Sequence, residues 1–284
     1  AGAQRRAGQS HAADQAAVKM TWRQAGAALC CCAGLVGDGL AADYKLLPGG
    51  EFRSVLPADG VSAAARLRPF WLRTQPVSNT EYLAFVQAQP QWQRGVPAQV
   101  LAGADYLTLW GGPLSFAPLQ ANAPVTQVSW HAAQAYCHSE QARLPRWYEW
   151  EFAAAADEQR ADARQDPLWL ARILGWYSRP ANQPPQAIGL QAANYYGIQD
   201  LHGLTWEWVE DFNGLFVSAD SRTQDEQKQL EFCGGSALSL GDKSNYAVLI
   251  RLALLAAMEA NQGGNYLGFR CVREQPANVS GASQ

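Results

Sequence analysis

The chain has 284 residues, of which 17% are charged and 11% aromatic, and its formal net charge is −3. No basic patch with interleaved aromatics occurs, which argues against nucleic acid as a partner. Ten of the 11 tryptophans lie beyond residue 70, enough apolar area for one sizeable core.

Residues 1–19 are polar and Ala-rich, and read as a disordered or upstream extension. Met20 is the first methionine, and residues 20–42 have the form of a signal peptide. Arg23 supplies a positive n-region, residues 25–36 an apolar h-region, and Gly39-Leu40-Ala41 a small-residue cleavage site. The apolar part falls short of the ~20 residues a membrane helix needs. The expectation is therefore a periplasmic or secreted protein with no membrane span after cleavage. Nothing before Cys30, Cys31 or Cys32 forms a good lipidation box, which disfavours a lipoprotein. Cys137, Cys233 and Cys271 remain in the exported part, and an odd number there reads as one disulfide and one spare thiol. No linker divides the chain after residue 43, so residues 43–275 are expected to form one domain, with a flexible tail over 276–284.

Within that domain, "LPGGEFRSV" (47–55) predicts a strand entered through a Gly-Gly turn. "RLRPFWLRTQPVSNTEY" predicts a second strand, followed by a capping box from Ser78 to Glu81. Tyr82, Phe85 and Val86 then recur at helical spacing, and Pro90 stops the helix. Residues 91–124 show no lasting period and read as a long ordered loop. A strand is expected to end at Ser129, which caps a helix running to about Glu140. A third helix is expected from Pro145, and a fourth with Asp166 as cap and Pro167 at its first position. The apolar run Tyr246–Met258 predicts a buried helix, and "FCGGSAL" and "YLGFRCVRE" predict short strands on either side of it. Few periodic elements, many tryptophans and Gly-marked turns point to an α+β domain held by its loops.

Five blocks in order carry a resemblance: "RPFWLRTQPVSNTEYLAFV" (68–86), "PVTQVSWHAAQAYC" (124–137), "ARLPRWYEWEFAAA" (142–155), "YGIQDLHGLTWEWVEDF" (196–212) and "GGSA…LGFRCVRE" (234–274). Together they resemble the formylglycine-generating enzyme, or sulfatase-modifying-factor, superfamily. Its members include iron-dependent sulfoxide synthases, a pyoverdine-maturation protein and exported proteins encoded beside copper nitrite reductases. The resemblance implies a C-type-lectin-like variant fold with little regular secondary structure. It also implies an oxidoreductase ancestry, in which a close cysteine pair binds copper(I); two soft thiolates suit that ion. Between Cys233 and Cys271 this chain has no cysteine, and Arg251-Leu252 stands near where a catalytic one would fall. Formylglycine generation is therefore not expected. The redox metal, if any, stays unknown.

The resemblance further implies a disulfide between Cys137 and Cys271, the alternative being two buried thiols. It leaves Cys233 spare and inert. It implies calcium at Glu207, aided by backbone oxygens of His202, Gly203 and Thr205. The alternative for Glu207 is a buried carboxylate capping backbone amides. Leu204 stands where the family often has asparagine, which removes one oxygen donor. An iron site would require His131, His138 and His202 to converge. Trp206 and Trp208 are expected to pack in the core, Glu210 and Asp211 to sit in water, and Arg270 to make an ion pair or carbonyl contacts. Arg251, His202 and Tyr246 are the candidate catalytic groups, Arg251 because it breaks an apolar run; a snorkelling arginine is the alternative. Two functions follow: an oxidative maturation factor for a periplasmic protein or metabolite, or a non-catalytic module assisting assembly of a metalloenzyme such as nitrite reductase. The partner, protein or small molecule, is not identified by the sequence.

Overall fold

The computed structural model describes residues 42–56, 64–177, 185–215 and 246–275. Among these described residues, seven short strands and five α-helices lie among long connections: β1 Tyr44–Leu47, β2 Gly50–Arg53, β3 Ala64–Leu67, β4 Phe70–Arg73, α1 Asn79–Ala88, α2 Trp130–Ser139, α3 Trp147–Ala154, α4 Pro167–Tyr177, β5 Trp206–Glu207, α5 Tyr246–Ala256, β6 Leu267–Gly268 and β7 Val272–Glu274. This is the α+β architecture with little regular secondary structure expected from the composition. Residues 1–41, Cys233 with the "FCGGSAL" strand, and the tail lie outside the described residues.

β1, β4 and β7 form an antiparallel sheet in that order, with Leu47 opposite Phe70 and Leu72 opposite Val272. Residues 47, 70, 72 and 272 are buried hydrophobics, so this register sends one face into the core. β2 and β3 pair as a separate hairpin. Where "RLRPFWLRTQPVSNTEY" predicts one strand, β3 ends and β4 follows, and the two belong to different sheets. β1 was not legible: its burial alternates inward only at its two ends. Gly49 makes the turn between β1 and β2 at φ +66°, where a Cβ would lie 2.5 Å from the Leu67 carbonyl oxygen. Only glycine fits there.

The helix starts follow their caps. Ser78 accepts from Glu81 N and Glu81 returns to Ser78 N, closing the capping box of α1. Ser129 accepts from Ala132 N at the start of α2, and Asp166 accepts from Leu168 N ahead of Pro167 in α4. α3 begins at Trp147, two residues later than expected. No strand forms before Ser129, because Gln127 takes φ +57° and turns the chain out of an extended path. Its side chain instead bonds Leu109 N, Thr108 Oγ1 and Asn265, tying the long 91–124 loop to the end of the chain. That loop carries only two 3₁₀ turns, and is fixed to α1 by Trp110 Nε1 donating to Asn79 and by the Tyr82–Tyr106 hydroxyl pair.

Tyr82, Tyr136 and Phe269 pack ring against ring where α1, α2 and the β6–β7 connection meet. Beside them Cys137 and Cys271 bring their sulfurs to bonding distance, with Cα atoms 5.5 Å apart. α5 is the buried helix expected from the apolar run. No helix among the described residues is long and apolar enough to cross a membrane.

Candidate functional site

Four elements converge on one fully buried carboxylate. Glu207 sits on β5, held in parallel pairing with β6. Three residues past β6's first position stands Arg270, also without solvent exposure. Its Nε lies 3.0 and 2.9 Å from the two Glu207 oxygens, and its Nη2 2.8 Å from Oε1. The remaining guanidinium protons go to backbone carbonyls of Arg73, Thr74 and Gln199. Arg270 therefore fulfils both expectations at once, ion pair and carbonyl contacts, and it crosslinks β4, the 199–201 turn and β5. A planar five-donor fork suits that task; an ammonium does not.

Glu207 Oε2 also accepts from Trp150 Nε1 of α3 at 2.9 Å. The Trp150 ring is the hub of the cluster. Arg251 of α5 lies over it, Cζ 3.5 Å from the ring centroid, and donates to the Glu207 backbone oxygen. His202 meets the same ring edge-on at 5.7 Å. Arg251 is 1% exposed, and so is its neighbour Leu252. The arginine that breaks the apolar run is thus neither at an open cleft nor snorkelling to solvent; it is a core residue. Arg251 and His202 flank one tryptophan, whereas the Tyr246 side chain lies outside the described residues.

The calcium expectation fares poorly on this geometry. Both Glu207 oxygens face a guanidinium and an indole donor, and a second guanidinium, that of Arg251, reaches the backbone oxygen of the same residue. The His202 carbonyl is taken by Gln191 Nε2 at 2.9 Å. Gly203 lies at φ +82° with Trp176 packed against its Cα. A dication set between two buried guanidinium groups would be repelled by both. The residues present do not fit the ion. His131 and His138, on the partly exposed side of α2, do not join His202; among the described residues no three His, Cys, Asp or Glu side chains gather as metal donors.

His202 is buried, and its Nε2–H donates to the Ala154 carbonyl at 2.8 Å. Burial lowers its pKa to about 4, so the ring is neutral at physiological pH. On its outer side it stacks on Trp176 and meets the edge of Trp169, both from α4. Those rings wall a cleft of about 220 Å³ whose rim carries Asp157, Glu158, Arg172 and Asp200. Asp200 adopts φ +59° and receives Gly189 N on its carboxylate; burial raises its pKa.

Two acids had signals that sequence reasoning missed. Asp211, expected in water, is only partly exposed and accepts from Trp147 N at 2.9 Å, so it caps α3 from another segment. Its partner Glu210 pairs with Arg146. Glu151 is 1% exposed and receives Ser54 Oγ, Val55 N and Trp147 Nε1. Its position one helical turn from Trp147, on the buried face, was the available clue. Trp208 is fully buried and Trp206 partly so, in line with core packing.

The sulfatase-modifying factor enzyme 1-like domain profile matches residues 39–275. The chain is 28% identical to the formylglycine-generating enzyme of Streptomyces coelicolor, covering 84% of this chain and 91% of that protein. It is 25% identical to the inactive C-alpha-formylglycine-generating enzyme 2 of Bos taurus, covering 83% and 89%. A partial match, 31% identical, joins it to hercynine oxygenase of Mycolicibacterium smegmatis over 60% of this chain and 46% of that protein. Among solved structures, PvdO of Pseudomonas aeruginosa superposes with a TM-score of 0.44 at 18% identity, covering 81% of this chain and 93% of that one. The chain belongs to the sulfatase-modifying-factor, or formylglycine-generating-enzyme, family.

Proposed function

We propose that this chain is an exported family member that works as a binding or assembly module in the periplasm or outside the cell, not as a formylglycine-generating oxidase. One observation carries the reading. Arg251-Leu252, which the resemblance puts near the position of a reactive cysteine, is buried in the core, and the Arg251 guanidinium lies over Trp150. Copper(I) activation of oxygen by two thiolates needs sulfur donors reachable by substrate. A guanidinium over an indole ring offers neither a soft ligand nor an opening. The Bos taurus relative, matched over most of both chains, is itself named inactive, which agrees with loss of chemistry on a retained fold.

An oxidative maturation role for a protein or metabolite has less support, because Arg251 and His202 are engaged inside the core and His202 is held neutral. The module reading instead leaves surfaces for a partner such as a metalloenzyme being assembled. Elemental analysis of the purified exported form tests it. Under this reading no copper or iron is bound at one per chain; a stoichiometric redox metal would favour the oxidative reading.

A further inference from the structure

The cleft beside His202 is built from parts that suit one kind of ligand. Its walls are aromatic: Trp169 is 5% exposed, and Trp176 stacks on the neutral His202 ring at 6.3 Å. Its polar rim has three carboxylates, Asp157, Glu158 and Asp200; Arg160 pairs with the first and Arg172 with the second, which leaves one carboxylate in surplus. Because His202 is neutral at physiological pH, it does not offset that negative balance. Aromatic faces with surplus carboxylate attract cations and repel anions.

Arg172 shows how such a cation would sit. Its Nη1 and Nη2 lie 2.8 and 3.0 Å from the two oxygens of Glu158, a bidentate fork, and its Cζ lies 5.8 Å from the Trp176 ring centroid. Both side chains of the pair are about two-fifths exposed, at 42% and 41%. Ion pairs that open to solvent contribute little to stability, so this one yields easily to a competitor. Asp157, by contrast, is tied up by Arg160 and by two backbone amides, and Asp200 by the Gly189 amide. Glu158 is the carboxylate whose partner can swing away without breaking the fold.

We propose that this cleft binds a small guanidinium compound, which displaces Arg172 from Glu158 and rests its apolar stem on Trp169 and Trp176. Its volume of about 220 Å³ admits a short chain with one such head group. This assignment goes beyond the module reading above and does not depend on it. Arg172 then acts as a built-in competitor, and its removal is expected to improve binding.

n-Butylguanidinium is the probe, followed by tryptophan fluorescence and calorimetry on the folded exported chain, with n-butanol and butyrate as neutral and anionic counterparts. The expected result is saturable binding of the guanidinium alone. Glu158→Gln is expected to weaken it about tenfold, and Arg172→Met to tighten it several-fold. Both variants alter exposed side chains, so circular dichroism should show an unchanged fold. Absence of saturation up to about 10 mM, equal binding of n-butanol, or an affinity indifferent to both substitutions would each overturn the assignment.

Discussion

Glu207 and Arg270, both without solvent exposure, meet through three nitrogen–oxygen contacts of 2.8–3.0 Å and hold β5 against the end of β6. The pair stands where the family resemblance implied an ion.

Removing either partner leaves the other charged and buried. Glu207→Ala is expected to cost about 3–5 kcal/mol, and Arg270→Met a similar amount. Chemical denaturation of the variants measures this. A loss below about 1 kcal/mol would show that the pair is not buried in solution as it is here.

Calcium is expected to leave thermal stability unchanged, and so is a chelator, since the donors at Glu207 are already engaged. A ligand that binds only the native state raises the melting temperature in proportion to its concentration. Such a rise, lost in Glu207→Gln, would restore the calcium reading.

Stability should depend on pH through two buried groups with opposite signs. Burial pushes Glu151 up to about 7 from a reference of 4.5. The folded state then holds a proton that the unfolded chain releases, so this contribution is complete below pH 4.5 and declines as pH rises through 7. His202 falls to about 4 from 6.5. Its contribution is complete above pH 6.5 and declines as pH falls through 4. Between pH 5 and 6.5 the two slopes oppose each other in the native sequence. In Glu151→Gln the His202 slope is left and stability rises with pH across that window; in His202→Gln the Glu151 slope is left and stability falls. Denaturant midpoints at pH 5 and 6.5 read the signs directly, and slopes of the same sign in both variants would contradict the assignment.

We further expect Cys137 and Cys271 to be oxidised in protein taken from its native compartment, closing a loop of 134 residues. Replacing both by serine is expected to cost about 3–5 kcal/mol in the chain-entropy picture. Peptide mapping without reductant would reveal the linked pair, and two free thiols there would refute it.

What the sequence made legible was local. Ser78, Ser129 and Asp166 announce their helices because a cap needs only its own next three residues. The apolar run of α5 announces burial for the same reason. Less legible were the contacts that join distant segments. Glu207 and Arg270 lie 63 residues apart, Trp150 and Glu207 57 apart, and Asp211 caps a helix 64 residues before it. Neither spacing nor periodicity reports which loop will deliver a partner. The strand expected before Ser129 failed on one residue, Gln127, whose left-handed backbone serves a network reaching Asn265. Arg251 breaks an apolar run, and its partners there are a tryptophan face and a carbonyl, both supplied by other elements.

The most direct test of the claim that the ancestral reaction centre has become core is a turnover assay. The purified chain would be incubated with copper(I), oxygen and a peptide carrying a sulfatase-type cysteine, and the peptide examined by mass spectrometry. The account predicts an unaltered cysteine side chain beyond the copper-only control; conversion to the aldehyde that requires the protein would contradict it.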